Sequence, residues 1–503
     1  MCDLMHQSAF FAMLTVVFKG KVMTKKIIRR LIFVFILVLA VVFGIMHYDK
    51  TEYTRDNLEE YVCRMCELSD VPGFSAAIID GDNEYYINYG EGIDENSRFE
   101  LASTTKAFTA LGILKLEKEG KLSIADPATK YIPWFKPTYK GNAYDITIEN
   151  LLCHTSGIPV WTITTIPEGD ATKEGELTKT IENIKDVKLS SKHGTHHEYA
   201  TINYDVLGLI IEEVTGEKYE DYISEQILKP VGMENSLFRV SDEENDECVQ
   251  GYKTMFFKAH PYDAPSYYGN TAAGYLVSST SELMKWIEIW SREGYGTLDY
   301  SDVENETIES KSLDKENKSL GYVFSDIVGE TLGHDVSKTD NYYAGWNIYD
   351  TYICHGGNNP NFSSQVIIAR DRQQGVFALS SLAGSSATRI ADGIYRILLG
   401  EKLKIGLQID DNELIDFLSI ELMLLFIYFT LLFWDKKSKA SCVKRIAGSA
   451  VFIAALVILP VVFHYPLTMI YVWFPFTASI ALGVSVILAV INILAGCTWV
   501  RQV

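Results

Sequence analysis

Phe99-Glu100-Leu101-Ala102-Ser103-Thr104-Thr105-Lys106-Ala107-Phe108-Thr109-Ala110 is the stretch on which the reading of this chain turns. A serine followed three positions later by a lysine puts hydroxyl and amine on one face of a helical turn. A serine hydroxyl is a weak nucleophile at neutral pH. A neighbouring amine, kept neutral by desolvation, can take its proton. The apolar helix expected over 107–116 could bury the lysine stem, as that chemistry requires.

The spacing alone decides little. It recurs at Ser312 and Lys315, in a charged stretch, and at Ser441 and Lys444, in a basic loop between apolar segments. Neither of these opens an apolar helix. An inert reading, with Ser103 as an N-cap and Lys106 exposed, fits the four letters equally well. The rest of the chain separates the two.

At 503 residues there is room for one large domain and additions to it. The chain carries 45 Lys+Arg against 65 Asp+Glu, a net charge of −20. Both ends are net basic, so the acidic excess is concentrated in 48–412. Such a domain suits no polyanion, and a nucleic-acid partner is not expected.

Residues 31–46 form an uncharged apolar run behind Lys25, Lys26, Arg29 and Arg30. Three more runs follow, at about 418–434, 446–463 and 469–500, each near or above the length that crosses a bilayer. No small-x-small cleavage site follows the first run, which favours a retained anchor over a signal peptide. Met23 is a more natural start than Met1. The positive-inside rule then divides the chain. Residues 1–30 are expected in the cytoplasm, 31–47 form an anchor, 48–412 lie outside, and 413–503 form a three-span tail. Lys436, Lys437, Lys439, Lys444 and Arg445 mark its inner loop.

Cys63 and Cys66 form a CxxC beside the anchor. A second CxxC is absent, so a zinc ribbon is unsupported; a local disulfide and two free thiols both stay open. His193, His196 and His197 cluster in a polar loop and read as surface residues. No metal or cofactor is expected.

A hairpin is expected over 74–79 and 84–89, around Asp80-Gly81-Asp82-Asn83. Helices are expected over 177–184, 205–214, 281–290 and 387–399, and strands over 346–354, 364–369 and 375–380. Strands early and late with helices between them imply an α/β fold. Its one sheet would come from both chain ends, with a helical insert.

Further ordered stretches join the first: Gly120-Lys121-Leu122-Ser123-Ile124-Ala125-Asp126-Pro127, Leu151-Leu152-Cys153-His154-Thr155-Ser156-Gly157, Tyr199-Ala200-Thr201-Ile202-Asn203-Tyr204 and His355-Gly356-Gly357-Asn358-Asn359-Pro360. Over about 55–405 these resemble the serine β-lactamase and penicillin-binding protein superfamily. The similar branch is that of class C β-lactamases, D-alanyl-D-alanine carboxypeptidases and related esterases. The resemblance implies an antiparallel sheet flanked by helices plus a mostly helical subdomain, here with one N-terminal and three C-terminal transmembrane helices added. It implies Ser103 as nucleophile, with Lys106 and Tyr199 moving its proton.

In the family's Tyr-x-Asn motif, Thr201 stands where asparagine is usual, and threonine lacks the planar amide that contacts a substrate carbonyl. Tyr268-Gly269-Asn270 is a literal rival without the following helix. His355-Gly356-Gly357 stands for Lys-Thr-Gly. Paired glycines let a substrate backbone lie close to a strand edge, and His355 is implied to face the cleft, polarising the Tyr199 region or binding an anion. The backbone N–H groups of Ser103 and Asn358 are implied to hold an oxyanion, and His154 to brace a loop. The implied substrate is small or peptidoglycan-derived: a cell-envelope peptide, a D-amino-acid amide or an ester. The rival class is a sensor that acylates slowly or not at all and signals through its spans. A Gly-x-Ser-x-Gly elbow is absent, which argues against an α/β-hydrolase triad.

Overall fold

Phe74–Asp80 and Asn83–Tyr89 pair antiparallel around Gly81 and Asp82. Gly81 takes φ +65°, which its missing Cβ allows, and so closes the short loop. The computed structural model describes residues 25–169, 175–238, 248–293, 315–370, 373–434 and 439–502. Met23, Ser312, Lys436 and Lys437 lie outside these residues.

The hairpin is one end of a seven-stranded antiparallel sheet. Phe74–Asp80 pairs with Gln374–Ser380, which pairs with Ser363–Ala369, then Tyr352–Asn358, Trp346–Ile348 and Tyr342–Tyr343. The sheet is therefore built from both chain ends. Side chains alternate between its two faces. Ala77, Ile79, Phe377 and Leu379 pack on the side of the Lys106–Lys118 and Ile202–Thr215 helices. Phe74, Ala76, Ile78, Val376 and Ala378 pack against helices Leu58–Leu68 and Ser386–Leu398. With both faces covered, these strands read as unbroken apolar runs.

Two expectations are corrected. The strand expected over 346–354 is a hairpin of Trp346–Ile348 and Tyr352–Asn358. Tyr349-Asp350-Thr351 turns the chain between them, with Tyr349 N donating to Tyr352 O at 2.9 Å. The last apolar run is likewise interrupted, into Thr468–Trp473 and Phe476–Gln502. Pro475 forces the preceding Phe474 into extended backbone, ψ 162°, and so breaks the helix.

Among the described residues three helices are long and apolar enough to cross a membrane: Asp411–Leu431, Ala440–Phe463 and Phe476–Cys497. The N-terminal apolar helix, Arg30–Met46, is shorter. It packs on the first of the three, with Phe43 and Phe417 stacked at 4.7 Å and His47 Nε2 3.2 Å from Glu413 Oε1. Tyr48–Tyr53 and Leu403–Leu407 pair beside it. A further hairpin, Tyr252–Met255 with Lys258–Pro261, reaches from the domain to the apolar helices. At its tip, Asp416 accepts from Phe256 N and Phe257 N, at 3.2 and 2.8 Å.

Candidate active site

After the short strand Phe99–Glu100, the chain makes a tight turn, Ala102–Thr105, that feeds the Lys106–Lys118 helix. Ala102 lies in the left-handed region at φ 49°. That conformation costs a residue with a Cβ about 1–3 kcal/mol. Phe99, Leu101 and Phe108 around it are fully buried, and each such side chain contributes about 1.5–3 kcal/mol. Core packing thus holds the turn that presents Ser103.

Lys106 is fully buried. Its Nζ lies 3.0 Å from Ser103 Oγ, 3.0 Å from Thr201 Oγ1 and 2.6 Å from the Ala273 carbonyl oxygen. Burial pulls its pKa down to about 7, against the carboxylate of Asp205, which acts upward. The Asp205 carboxyl is itself pushed well up by burial, with Lys106 opposing. A neutral amine has two N–H donors and one lone pair. The Ala273 oxygen can only accept, and Thr201 Oγ1 can accept. This leaves the lone pair for the Ser103 proton.

Burial pushes the Tyr199 phenol well up, with the nearby Ser103 hydroxyl acting the other way, so it keeps its proton at neutral pH. Its ring centroid is 5.3 Å from Lys106 Nζ. Behind it, the His154 ring lies 4.2 Å from Tyr199 and 4.7 Å from Tyr342. Asn203 Nδ2 donates to His154 Nδ1 at 2.9 Å, and Ser156 Oγ donates to Asn203 Oδ1 at 2.8 Å. Burial, then the Lys106 charge, holds His154 neutral.

Two residues implied to serve the substrate also have partners within the protein. Thr201 accepts from Lys106, so its hydroxyl serves the amine. His355 is buried, with Nε2 3.1 Å from the Tyr342 hydroxyl. Its ring stands 6.2 Å from that of Tyr199. Burial, then the charge of Lys106, pulls its pKa down to about 3. The pleat explains its position, since Ile353, His355 and Gly357 share the buried face of their strand.

Gly357 brings that strand against the Ser103 turn. A Cβ there would lie 2.5 Å from Leu101 O and 3.0 Å from Ala102 Cβ. A Cβ on Gly356 would instead meet Gln365 Oε1 at 2.8 Å. Asn358 ends the strand, and its Oδ1 accepts from Gly384 N at 2.9 Å. The neighbouring strand pairs only with Ile353 and Cys354. The edge from 355 to 358, beside Ser103, is left unpaired by it.

The rival motif has another place. With its amide turned to donate, Asn270 lies 2.9 and 3.1 Å from the two Asp205 oxygens. It supports the carboxyl near Lys106. Sequence reading missed Asp205, Tyr342 and the Ala273 carbonyl. Asp205 follows Tyr199 by six positions and could have been flagged as an acid on an apolar helix. A backbone carbonyl leaves no such signal. Cys63 and Cys66 are free thiols. His197, expected at the surface, is partly covered, with its ring 5.9 Å from Tyr342. Among the described residues no group of three or more His, Cys, Asp or Glu could hold a metal ion.

A family model described as Beta-lactamase matches residues 62–401. Protein flp of Staphylococcus aureus (strain MW2) is 28% identical over 371 residues, 70% of this chain and 68% of that protein. An octameric penicillin-binding protein homologue from Pyrococcus abyssi superposes with a TM-score of 0.54 at 25% identity, covering 69% of this chain and 77% of that one. A class C β-lactamase in complex with cefoxitin superposes with a TM-score of 0.53 at 18% identity, covering 69% and 98%.

Proposed function

The chain belongs to the β-lactamase family, and from that premise we propose a membrane-anchored serine hydrolase that works by acyl transfer at Ser103. The observation that carries this reading is the set of three contacts of Lys106 Nζ, one of them with Ser103 Oγ. Ser103 Oγ attacks a carbonyl carbon and its proton passes to the Lys106 amine. The C–O or C–N bond to the leaving group breaks, and the leaving atom takes a proton from the Tyr199 hydroxyl. Lys106 restores that proton. Water then attacks the acyl-serine, giving its proton to the same relay, and frees the acid and Ser103. The substrate strand lies along the free edge of 355–358, and the backbone N–H groups of Ser103 and Asn358 stabilise the oxyanion.

The substrate is a cell-envelope peptide, a D-amino-acid amide or an ester. Thr201 is engaged with Lys106 and offers no planar amide. That favours esters and small D-amino-acid derivatives over β-lactams. Net basic flanks put the domain on the outer face of a cytoplasmic membrane. Intact-mass spectrometry after exposure to a fluorophosphonate and to penicillin tests the reading. The expected result is one fluorophosphonate adduct, on Ser103, lost in Ser103→Ala; labelling that survives in that variant rules Ser103 out.

A second reading, a sensor, is favoured by one observation. The 252–261 hairpin bonds at its root to Asn361 and Ser381, through Tyr252 N at 3.1 and 2.8 Å, and at its tip to Asp416. It thereby links the edge of the site to a membrane helix. A carboxylic acyl adduct left on Ser103 by a short p-nitrophenyl ester that persists for hours identifies the sensor; one that turns over identifies the hydrolase.

A further inference from the structure

The segment between the last two apolar helices does not hang free; it is fastened to the domain at separate points. Lys253 Nζ donates to Tyr471 O at 2.7 Å and to Val472 O at 2.6 Å. Its ammonium also lies 4.0 Å from the Tyr262 ring centroid and 4.8 Å from that of Phe476. Trp161 stacks on His464 at 4.8 Å, and Phe256 N donates to Thr477 Oγ1 at 2.9 Å.

Between segment and domain is a cavity of about 310 Å³. That is at the lower end of the roughly 300–1,000 Å³ of small-molecule sites. Met469, Val472 and Trp473 form its membrane-side wall, and Ile163 and Ile166 face them from the domain. Glu168, Thr164 and Thr468 place polar groups in the same lining, and Asn270 and Tyr275 also line it. They bracket Ala273, whose carbonyl holds Lys106 Nζ, and Gly274, whose missing Cβ would lie 3.8 Å from the Ala102 backbone beside Ser103. The cavity therefore shares a strip of backbone with the site at one end. At the other it is walled by the link between two bilayer-length helices, where Leu467, Tyr471 and Phe474 are exposed.

We infer that this cavity holds the alkyl chain of an amphiphilic substrate drawn from the adjoining membrane leaflet, with its acyl carbonyl presented to Ser103. The inference rests on the acyl-transfer reading above and narrows its substrate to membrane-borne esters or amides. A water-soluble substrate has no use for a wall built from the membrane tail. An amphiphile does, because its chain passes from bilayer to cavity with little exposure to water.

The test uses the full chain in lipid nanodiscs. A long-chain ester carrying a diazirine near its chain end is photolysed, and adducts are mapped by mass spectrometry. In parallel, kcat/KM is compared for p-nitrophenyl dodecanoate and butanoate. Adducts are expected on Ile163, Ile166 or the 466–473 segment. The dodecanoate-to-butanoate ratio is expected to fall about tenfold in Met469→Trp and in Val472→Trp, either of which fills the cavity. Adducts confined to the helix faces, or a ratio unchanged in both variants, would overturn the inference. Absence of turnover with either ester, with adducts still in the cavity, would instead overturn the hydrolase reading and leave the binding site standing.

Discussion

Lys106 and Lys253 are both buried lysines, and burial pulls both down to about 7. Their neighbours differ. Lys253 points two donors at backbone carbonyls and stands over aromatic faces, all of which favour its charged form. The two carbonyls have no proton to give up, and the aromatic rings meet the amine with their faces. Lys106 spends one contact on a carbonyl and one on a hydroxyl, and its third neighbour is the Ser103 hydroxyl. A lowered lysine pKa thus marks burial in both regions, and chemistry only where a nucleophile sits in the third position. On the acyl-transfer reading proposed above the first lysine serves a reaction, and the second bonds the domain to the segment between the last two long apolar helices.

The strongest way to break this contrast is to remove each lysine in turn. Lys106→Met should lower the rate of ester acylation by about 10⁴-fold, read by stopped-flow release of p-nitrophenol. Lys253→Met should stay within about threefold on a short ester. Tyr199→Phe, which removes only a hydroxyl, should cost about 10²–10⁴-fold in the same assay. Thr201→Val deletes one hydrogen bond to Lys106 and should cost about 3- to 10-fold. The smallest effect is on stability. Folded Lys106 and Lys253 titrate near 7, whereas an unfolded lysine titrates near about 10.4. Between those values the unfolded chain holds protons that the folded chain has released, so stability rises with pH across that window. Urea midpoints should show this rise, and Lys253→Met should lessen it.

The fold was legible because its signals were local and repeated. Asp80-Gly81-Asp82-Asn83 between apolar runs marked the hairpin, and the late strands showed as short apolar runs. What escaped depended on contacts distant in the chain. Tyr349-Asp350-Thr351 carries neither Gly nor Pro and is flanked by aromatic and β-branched residues, so the turn that divides the stretch was not read. At the site, Ser103, Lys106 and Tyr199 were recognisable by spacing and resemblance. His355 shares its strand face with Gly357, which lies against the Ser103 turn, while its bond to Tyr342 joins strands that spacing alone does not relate. Thr201 was read against an absent amide, while its partner, Lys106, lies 95 positions earlier. Lys253 was not noticed at all, since its acceptors are backbone carbonyls of the tail.

The most direct measurement is the pH dependence of Ser103 acylation. A protonated amine cannot accept the serine proton, so the rate should climb through about pH 7 as Lys106 loses its charge. The predicted result is a limb centred there in the native chain and in Lys253→Met, and no such limb in the residual rate of Lys106→Met. A limb that vanishes in Lys253→Met, or that persists in Lys106→Met, would contradict the assignment of Lys106 as the base.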